Sequence, residues 1–226
     1  MIEVQPHKIE LIAGYTDNTR DRKTHRSVTF GKLLTGKMLF VIDADPASSI
    51  PTQYQAMILR ACITEFGTLR MPVPLTALLS LDTIDMDDLN AAFDRFSKIN
   101  RGEKEAEIID KNTVRLAVGY ERNGLVYDVV TFGNRLTVMD EVEADNLKLA
   151  DLKRVCFLAG KQVSRISQSE GQSVLDGPLP LEIFEELVGF DIQTLRVASE
   201  VYRQSFRLPG SGKPQVGADA QRTPAG

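Results

Sequence analysis

Residues that bind metals or act as catalytic bases are scarce in this chain. Among its 226 residues only two are histidine, His7 and His25, and only two are cysteine, Cys62 and Cys156. A zinc site needs about four such ligands, and a catalytic triad needs a histidine beside its nucleophile. We therefore expect no catalytic residue, no metal and no cofactor, and we expect the protein not to be an enzyme.

Long apolar runs and an excess of positive charge are also missing. No apolar run approaches the ~20 residues of a membrane span, and the first residues lack the pattern of a signal peptide. The net charge is −4 and the isoelectric point is about 5.3, which argues against nucleic acid or anionic membranes as partners. Basic residues cluster once, in a segment that we interpret as a solvated hairpin tip: Arg20, Arg22, Lys23, His25 and Arg26.

The two cysteines lie in separate apolar, helix-like stretches. Cys62 and Cys156 occupy roughly equivalent places in the two halves of the sequence. Free cysteine is among the residues most often buried, and disulfides are rare in reducing compartments. We expect both to be buried, unpaired and far apart.

Self-similarity between the two halves is the most informative feature of the sequence. Val28-Thr29-Phe30-Gly31 recurs 102 residues later as Val130-Thr131-Phe132-Gly133. Pro72-x-Pro74-Leu75 recurs 106 residues later as Pro178-x-Pro180-Leu181. The shift of 106 also takes Leu81, Asp85, Leu89 and Ala92 to identical residues. Repeats of this kind indicate a duplicated architecture.

Each repeat is predicted to open with a β-hairpin. In the second repeat, residues 113–120 and 125–132 are rich in β-branched residues and flank Asn123-Gly124, a strong hairpin signal because both residues tolerate positive φ. The matching strands of the first repeat are predicted at 9–15 and 26–30.

Helices are predicted to follow each hairpin. Thr35 and Thr137 are expected to be N-caps of short helices that end near residues 44 and 144. Longer helices are expected over 54–66 and 149–163, with a loop over 164–173. Pro74 and Pro180 suit first helical turns, and Asp85 and Asp191 are expected to cap the last helices.

These patterns predict an α+β protein, predominantly helical, with two homologous β-hairpin-plus-helices domains. The first domain is predicted to span 1–99 and the second 113–207. Residues 100–112 form a charged linker between them. Residues 208–226 are rich in Pro, Gly, Ala and polar residues, and we expect this tail to be disordered.

The last helix of the second repeat has a second apolar stripe in addition to its core face. It consists of Phe190, Val197 and Val201, whereas the first repeat has Ile84, Ala91 and Arg95 at the matching positions. A soluble helix seldom shows two apolar stripes unless both are covered. The stripe either packs between the repeats or binds a partner, and the sequence leaves both interpretations open.

Several motifs together resemble a known family. The stretch Val28-Thr29-Phe30-Gly31-Lys32-Leu33-Leu34-Thr35-Gly36-Lys37 is followed by apolar residues up to Asp43-Ala44-Asp45. After the long helix comes Leu78-Leu79-Ser80-Leu81-Asp82-x-x-Asp85-x-x-x-Leu89, closing near Phe96. This order of strand, Leu-Thr-Gly turn, helix and final helix resembles the tail assembly chaperones of tailed bacteriophages. The resemblance covers most of residues 9–99 and, more faintly, 113–206.

The resemblance implies a function in phage tail assembly. Such a chaperone coats the long tape-measure protein, keeps it soluble and helps tail-tube subunits polymerise around it, in the host bacterial cytoplasm. The alternative is a structural tail or baseplate component retained in the virion, since two units are in tandem here and one copy is free to take another role. Either way the implied partners are proteins, and a homo-oligomer is allowed.

Overall fold

The computed structural model describes residues 4–102, 104–149 and 151–206. Helices make up 45% of it and antiparallel sheets 25%, so the predicted α+β class is confirmed. No helix in these ranges is long and apolar enough to cross a membrane. The predicted tail, 208–226, lies outside the described residues.

Over residues 4–102 the first half forms a three-stranded antiparallel sheet and four α-helices. Its strands, in sheet order, are β1 (His7–Thr16), β2 (Thr24–Phe30) and β3 (Ile63–Phe66). Its helices are α1 (Gly36–Asp43), α2 (Pro51–Cys62), α3 (Leu75–Leu79) and α4 (Thr83–Arg101). A 3-10 turn, Pro46–Ser49, joins α1 to α2.

The second half repeats this order of elements with two additional strands. Its five-stranded antiparallel sheet runs β4 (Glu107–Ile108), β5 (Thr113–Arg122), β6 (Leu125–Phe132), β7 (Val163–Ser167) and β8 (Val174–Asp176). Its helices are α5 (Val138–Asn146), α6 (Asp151–Gln162), α7 (Leu181–Glu186) and α8 (Gly189–Gln204).

The predicted hairpins and the predicted N-caps at Thr35 and Thr137 are confirmed. Asn123 and Gly124 turn between β5 and β6 with φ of 54° and 75°, as an Asn-Gly turn requires. The hydroxyl of Thr35 accepts from the amide of Met38, and that of Thr137 accepts from the amide of Asp140. These bonds satisfy amides that lack partners in a first helical turn.

The predicted ends of the longer helices are wrong. Residues 63–66 and 163–167 leave the helix and pair with β2 and β6 as third strands. The register shifts at the same place in both pairs, between Thr29 and Phe30 and between Thr131 and Phe132. The segment predicted as a loop, 164–173, contributes to a β7–β8 hairpin.

The backbone geometry also corrects the matching of the two cysteines. The amide of Gly31 donates to the carbonyl of Cys62, at 3.1 Å, and the amide of Gly133 donates to the carbonyl of Gln162, at 3.0 Å. Gln162 is therefore the counterpart of Cys62, and Cys156 lies six residues earlier in its helix. Both cysteines are buried and unpaired, as predicted.

Part of the predicted linker belongs to regular structure. Asn100 and Arg101 complete α4, and Gly102 ends it with a φ of +72°, which a residue with a side chain rarely adopts. Glu107–Ile108 then pair with β5.

Two apolar cores form, and one of them crosses the predicted domain boundary. The first is built within the first half around Phe30, Phe66 and Phe96. The second lies in the second half around Phe132 and Phe184, but it also includes Leu39 and Phe40 of α1, which are 7% and 3% exposed. Helix α1 thus completes the core of the other half.

Candidate functional site

Asp85 and Asp191 are buried carboxylates with the same surroundings in each half. The amides of Ile12, Ala13 and Gly14 donate to Asp85 at 2.6–3.2 Å. Those of Ala117, Val118 and Gly119 donate to Asp191 at 2.8–3.1 Å. Each carboxylate fills the irregular part of a hairpin, where the strand register shifts.

The prediction that these aspartates cap the last helices is wrong. Asp82 caps α4 by accepting from the amide of Asp85, and Val188 precedes α8 with no side-chain cap. Burial raises the pKa of Asp191, and its three amide donors oppose that rise because they stabilise the charged form. The geometry indicates that both aspartates join a helix to a strand.

The sequence predicted that His25 belongs to a solvated hairpin tip, and this prediction is wrong. Its side chain is only 4% exposed. Its Nδ1 accepts from the amide of Thr68 at 3.2 Å, so Nε2 carries the proton and donates to Asp17 at 3.1 Å. Hydrogen bonds from Thr19 and His25 lower the pKa of Asp17 to about 2. The hydrogen bond between His25 and Asp17 holds together the two ends of the exposed turn that joins β1 to β2.

The backbones of the two halves are joined at the start of α1. Thr35 and Val188 form an isolated antiparallel bridge. The amide of Gly36 donates to the carbonyl of Leu187, and the amide of Gly189 donates to the carbonyl of Leu34, both at 2.8 Å. A Cβ at Gly36 would overlap the carbonyl oxygen of Phe184, so a glycine is needed there.

Side chains of α1 continue this contact. Leu39 and Phe40 are buried in the core of the second half. Asp43 accepts from the amide of Leu152 at 2.8 Å, which caps the first turn of α6. The ammonium of Lys153 lies 5.3 Å from the ring centroid of Phe40.

The structure separates the three residues of the predicted second stripe. Phe190 is half-buried near the contact between the halves, where the guanidinium of Arg101 lies 5.8 Å from its ring centroid. Val197 and Val201 remain 46% and 38% exposed. Val197 lines a groove of about 520 Å³ that also includes Leu136. Packing between the halves therefore accounts for Phe190 but not for the two valines.

A larger groove, of about 970 Å³, follows α1, α2 and β3 in the first half. Its apolar lining includes three methionines, Met38, Met57 and Met71. Its charged residues are three basic ones, Lys32, Lys37 and Arg60, and one acidic one, Asp45. Met side chains are flexible and polarizable, and they are common on surfaces that bind helices of varied sequence. We call this surface the methionine groove.

Helix α5 exposes an apolar face. Val138 is 78% exposed, Met139 is 71% exposed and Val142 is 41% exposed. Beside this face, Glu141 and Asp145 form ion pairs with Arg154 of α6. Apolar side chains clustered on a surface often mark a binding site.

Sequence reasoning missed both the methionine groove and this face of α5. The groove combines residues that are distant in sequence, so periodicity gives no signal for it. The signal for α5 was available, because Val138, Met139 and Val142 are apolar in a helix whose other positions are mostly acidic.

No group of three or more His, Cys, Asp or Glu residues is arranged to hold a metal ion within the parts of the chain that the structure describes. Comparison of the chain with family models, with curated proteins and with solved structures found no match.

Proposed function

We propose that this protein is a phage tail assembly chaperone that binds the tape-measure protein through the methionine groove and assists tail-tube assembly. Two lines of reasoning support the proposal. The sequence motifs described above resemble that family, and the groove has the size and chemistry that an amphipathic helix requires. The groove is the observation on which the proposal chiefly depends.

The groove suits a helix with an apolar face and acidic flanks. Helices bind in apolar grooves through side chains spaced three and four residues apart. Met38 and Met71, which are half-buried, adapt to such side chains without demanding one sequence, and Met57 is buried beneath them. This tolerance matters for a client that is long and varied. Lys32, Lys37 and Arg60 favour acidic residues beside the apolar face.

We further propose that the two halves arose by internal duplication. The paired positions Asp85 and Asp191 support it, because each binds three successive amides of its own hairpin. The shared register shift in β2–β3 and β6–β7 supports it as well. In the second half Lys161 of α6 pairs with Glu143 of α5, at the positions equivalent to Ala61 and Val41 of the methionine groove.

Co-expression with the long helical product of a neighbouring reading frame tests the binding proposal. We expect the wild-type protein to keep that product soluble and to co-purify with it. Val41→Glu puts a carboxylate in the groove at a side chain that is 70% exposed, and we expect co-purification to be lost. Val174→Glu is the matched control on β8, because Val174 is exposed and outside the groove. Equal co-purification of both variants would contradict the proposal.

A further inference from the structure

Helix α1 has a second groove beside it, on the side opposite the methionine groove. This second groove has a volume of about 690 Å³ and reaches from α1 to the link between α5 and α6. Its apolar lining comes from both halves of the chain: Phe40, Val41, Ala44, Pro46, Leu147 and Leu149. We call it the inter-half groove.

The exposed edge of α1 separates the two grooves and belongs to both. Lys37 and Val41 lie one turn apart on α1, and Asp45 follows the end of the helix. All three line the methionine groove and the inter-half groove, whereas Met38 lines only the first and Phe40 only the second. Val41 is 70% exposed, so an apolar side chain stands between two grooves that are themselves largely apolar.

The contact between the halves holds this edge in place. At the start of α1 the amide of Gly36 donates to the carbonyl of Leu187, and at its end the carboxylate of Asp43 accepts from the amide of Leu152. Helix α1 is therefore fixed at both ends to the second half, and both grooves are formed in the free protein. A preformed surface loses little conformational entropy on binding, which favours affinity.

The two grooves carry an excess of positive charge in a protein whose net charge is −4. Four basic residues that line them form no ion pair with any other residue that the structure describes: Lys32, Lys37, Arg60 and Lys148. The other charged lining residues are Asp45 and the pair Lys153 and Glu185, whose charged atoms lie 3.6 Å apart. This balance favours acidic side chains along the edges of a bound helix.

We propose that the client presents two acidic amphipathic helices side by side, one in each groove, with Val41 buried in the seam between them. Helices pack with their axes about 8–10 Å apart, and α1 is the third helix of this arrangement. The inference rests on the proposed function and deepens it, because the client then binds both halves of the chain at once. The tandem arrangement of the halves is what places two grooves on either side of one helix.

Two synthetic probes test this arrangement. The first is a single amphipathic helix with leucines on one face and glutamates beside them, and the second joins two such helices by a flexible glycine-serine linker. We expect the wild type to bind the single helix, and to bind the linked pair at least about tenfold more tightly, because the linker raises the effective concentration of the second helix. Fluorescence anisotropy of labelled probes measures both affinities.

Variants of the full-length protein assign each contact to its groove. Leu147→Glu puts a carboxylate in the inter-half groove at a side chain that is 54% exposed. We expect it to abolish the gain of the linked pair and to leave binding of the single helix unchanged, because the single helix occupies the larger methionine groove. Val41→Glu is expected to weaken binding of both probes. Leu125→Glu is the matched control, because Leu125 is 39% exposed on β6 and lines neither groove.

The outcomes separate this inference from the proposed function. If the wild type binds the linked pair no more tightly than the single helix, the inference is overturned and the methionine groove stands. A full gain of the linked pair in Leu147→Glu would overturn the inference in the same way. If neither probe binds, the helix-binding role of the methionine groove is overturned as well. Equal binding of probes with lysine in place of glutamate would overturn the acidic chemistry. Circular dichroism of each variant confirms that it is folded.

Discussion

The carboxylate of Asp43 caps the first turn of α6 by accepting from the amide of Leu152, at 2.8 Å. These residues are 109 positions apart and belong to different halves of the chain. A helix of the first half thus fixes the start of a helix in the second. Because α1 also places Phe40 in that core, the packing joins the halves more closely than a flexible linker would.

Phe40→Ala is expected to lower the free energy of unfolding by about 3–5 kcal/mol, the usual cost of removing a buried Phe side chain. Urea denaturation measures this. The control is Val142→Ala, the equivalent position on α5, where 41% exposure predicts a change within about 0.5 kcal/mol. Similar effects of the two substitutions would show that α1 does not pack in the second core.

Asp85→Asn and Asp191→Asn are each expected to destabilise the protein by at least about 2 kcal/mol. Each carboxylate accepts from three backbone amides. An asparagine offers one oxygen and turns a donor toward the same amides, which leaves buried groups unsatisfied. Thermal unfolding monitored by circular dichroism checks this. An exposed carboxylate, Asp94→Asn, is expected to change little, and a small effect at Asp85 would contradict the assignment.

Asp17 is expected to titrate with a pKa of about 2. Its pKa is lowered in the folded state, so its contribution to stability is present above the ordinary value of about 3.9 and is lost as pH falls toward 2. Carboxyl NMR titration measures the pKa directly. Thr19→Ala removes the largest cause of the shift and is expected to raise the pKa. An unchanged pKa in that variant would refute the hydrogen-bond explanation.

Cys62 and Cys156 are expected to react slowly with thiol reagents in the native protein. Burial raises the pKa of each thiol to about 12, and the thiolate is the reactive form. Titration with a chromogenic disulfide should find two thiols in denaturant and almost none in buffer. One cysteine that reacts rapidly under native conditions would contradict its core position.

Val201→Arg is expected to leave thermal stability unchanged within about 0.5 kcal/mol, because Val201 is 38% exposed and can direct an arginine into solvent. Phe190→Ala is expected to be destabilising, since Phe190 is half-buried near the contact between the halves. Binding of the tape-measure protein to both variants then completes the test. Loss of binding by Val201→Arg would show that Val201 is part of a surface that binds the partner. Unchanged binding would show that Val201 is not part of that surface.

Local signals predicted the local parts of this fold. The Asn123-Gly124 turn, the strand alternation around it and the caps at Thr35 and Thr137 were all identified correctly, because each depends on residues close in sequence. The third strands were missed. Each is only four or five residues long and directly follows an apolar helix. Periodicity cannot distinguish so short an apolar strand from the last turn of the helix before it.

Long-range features could not be predicted in this way. Asp85 is predicted as a cap because it directly precedes the apolar stripe that begins at Met86, and only the tertiary structure brings the amides of β1 to it. Nothing local distinguishes Phe40, which packs on the other half, from Ile42, which is buried on the same helix. The methionine groove could not be predicted for the same reason, since Met38 and Met71 line one groove only after folding.

The central claim is that the protein assists tail assembly and then leaves. Quantitative mass spectrometry of purified phage particles, compared with the lysate in which they assemble, tests it most directly. We predict that the protein is abundant in the lysate, associated with the tape-measure protein, and absent from the particles. A fixed stoichiometric amount in purified particles would contradict the chaperone proposal and identify a structural component of the tail or baseplate instead.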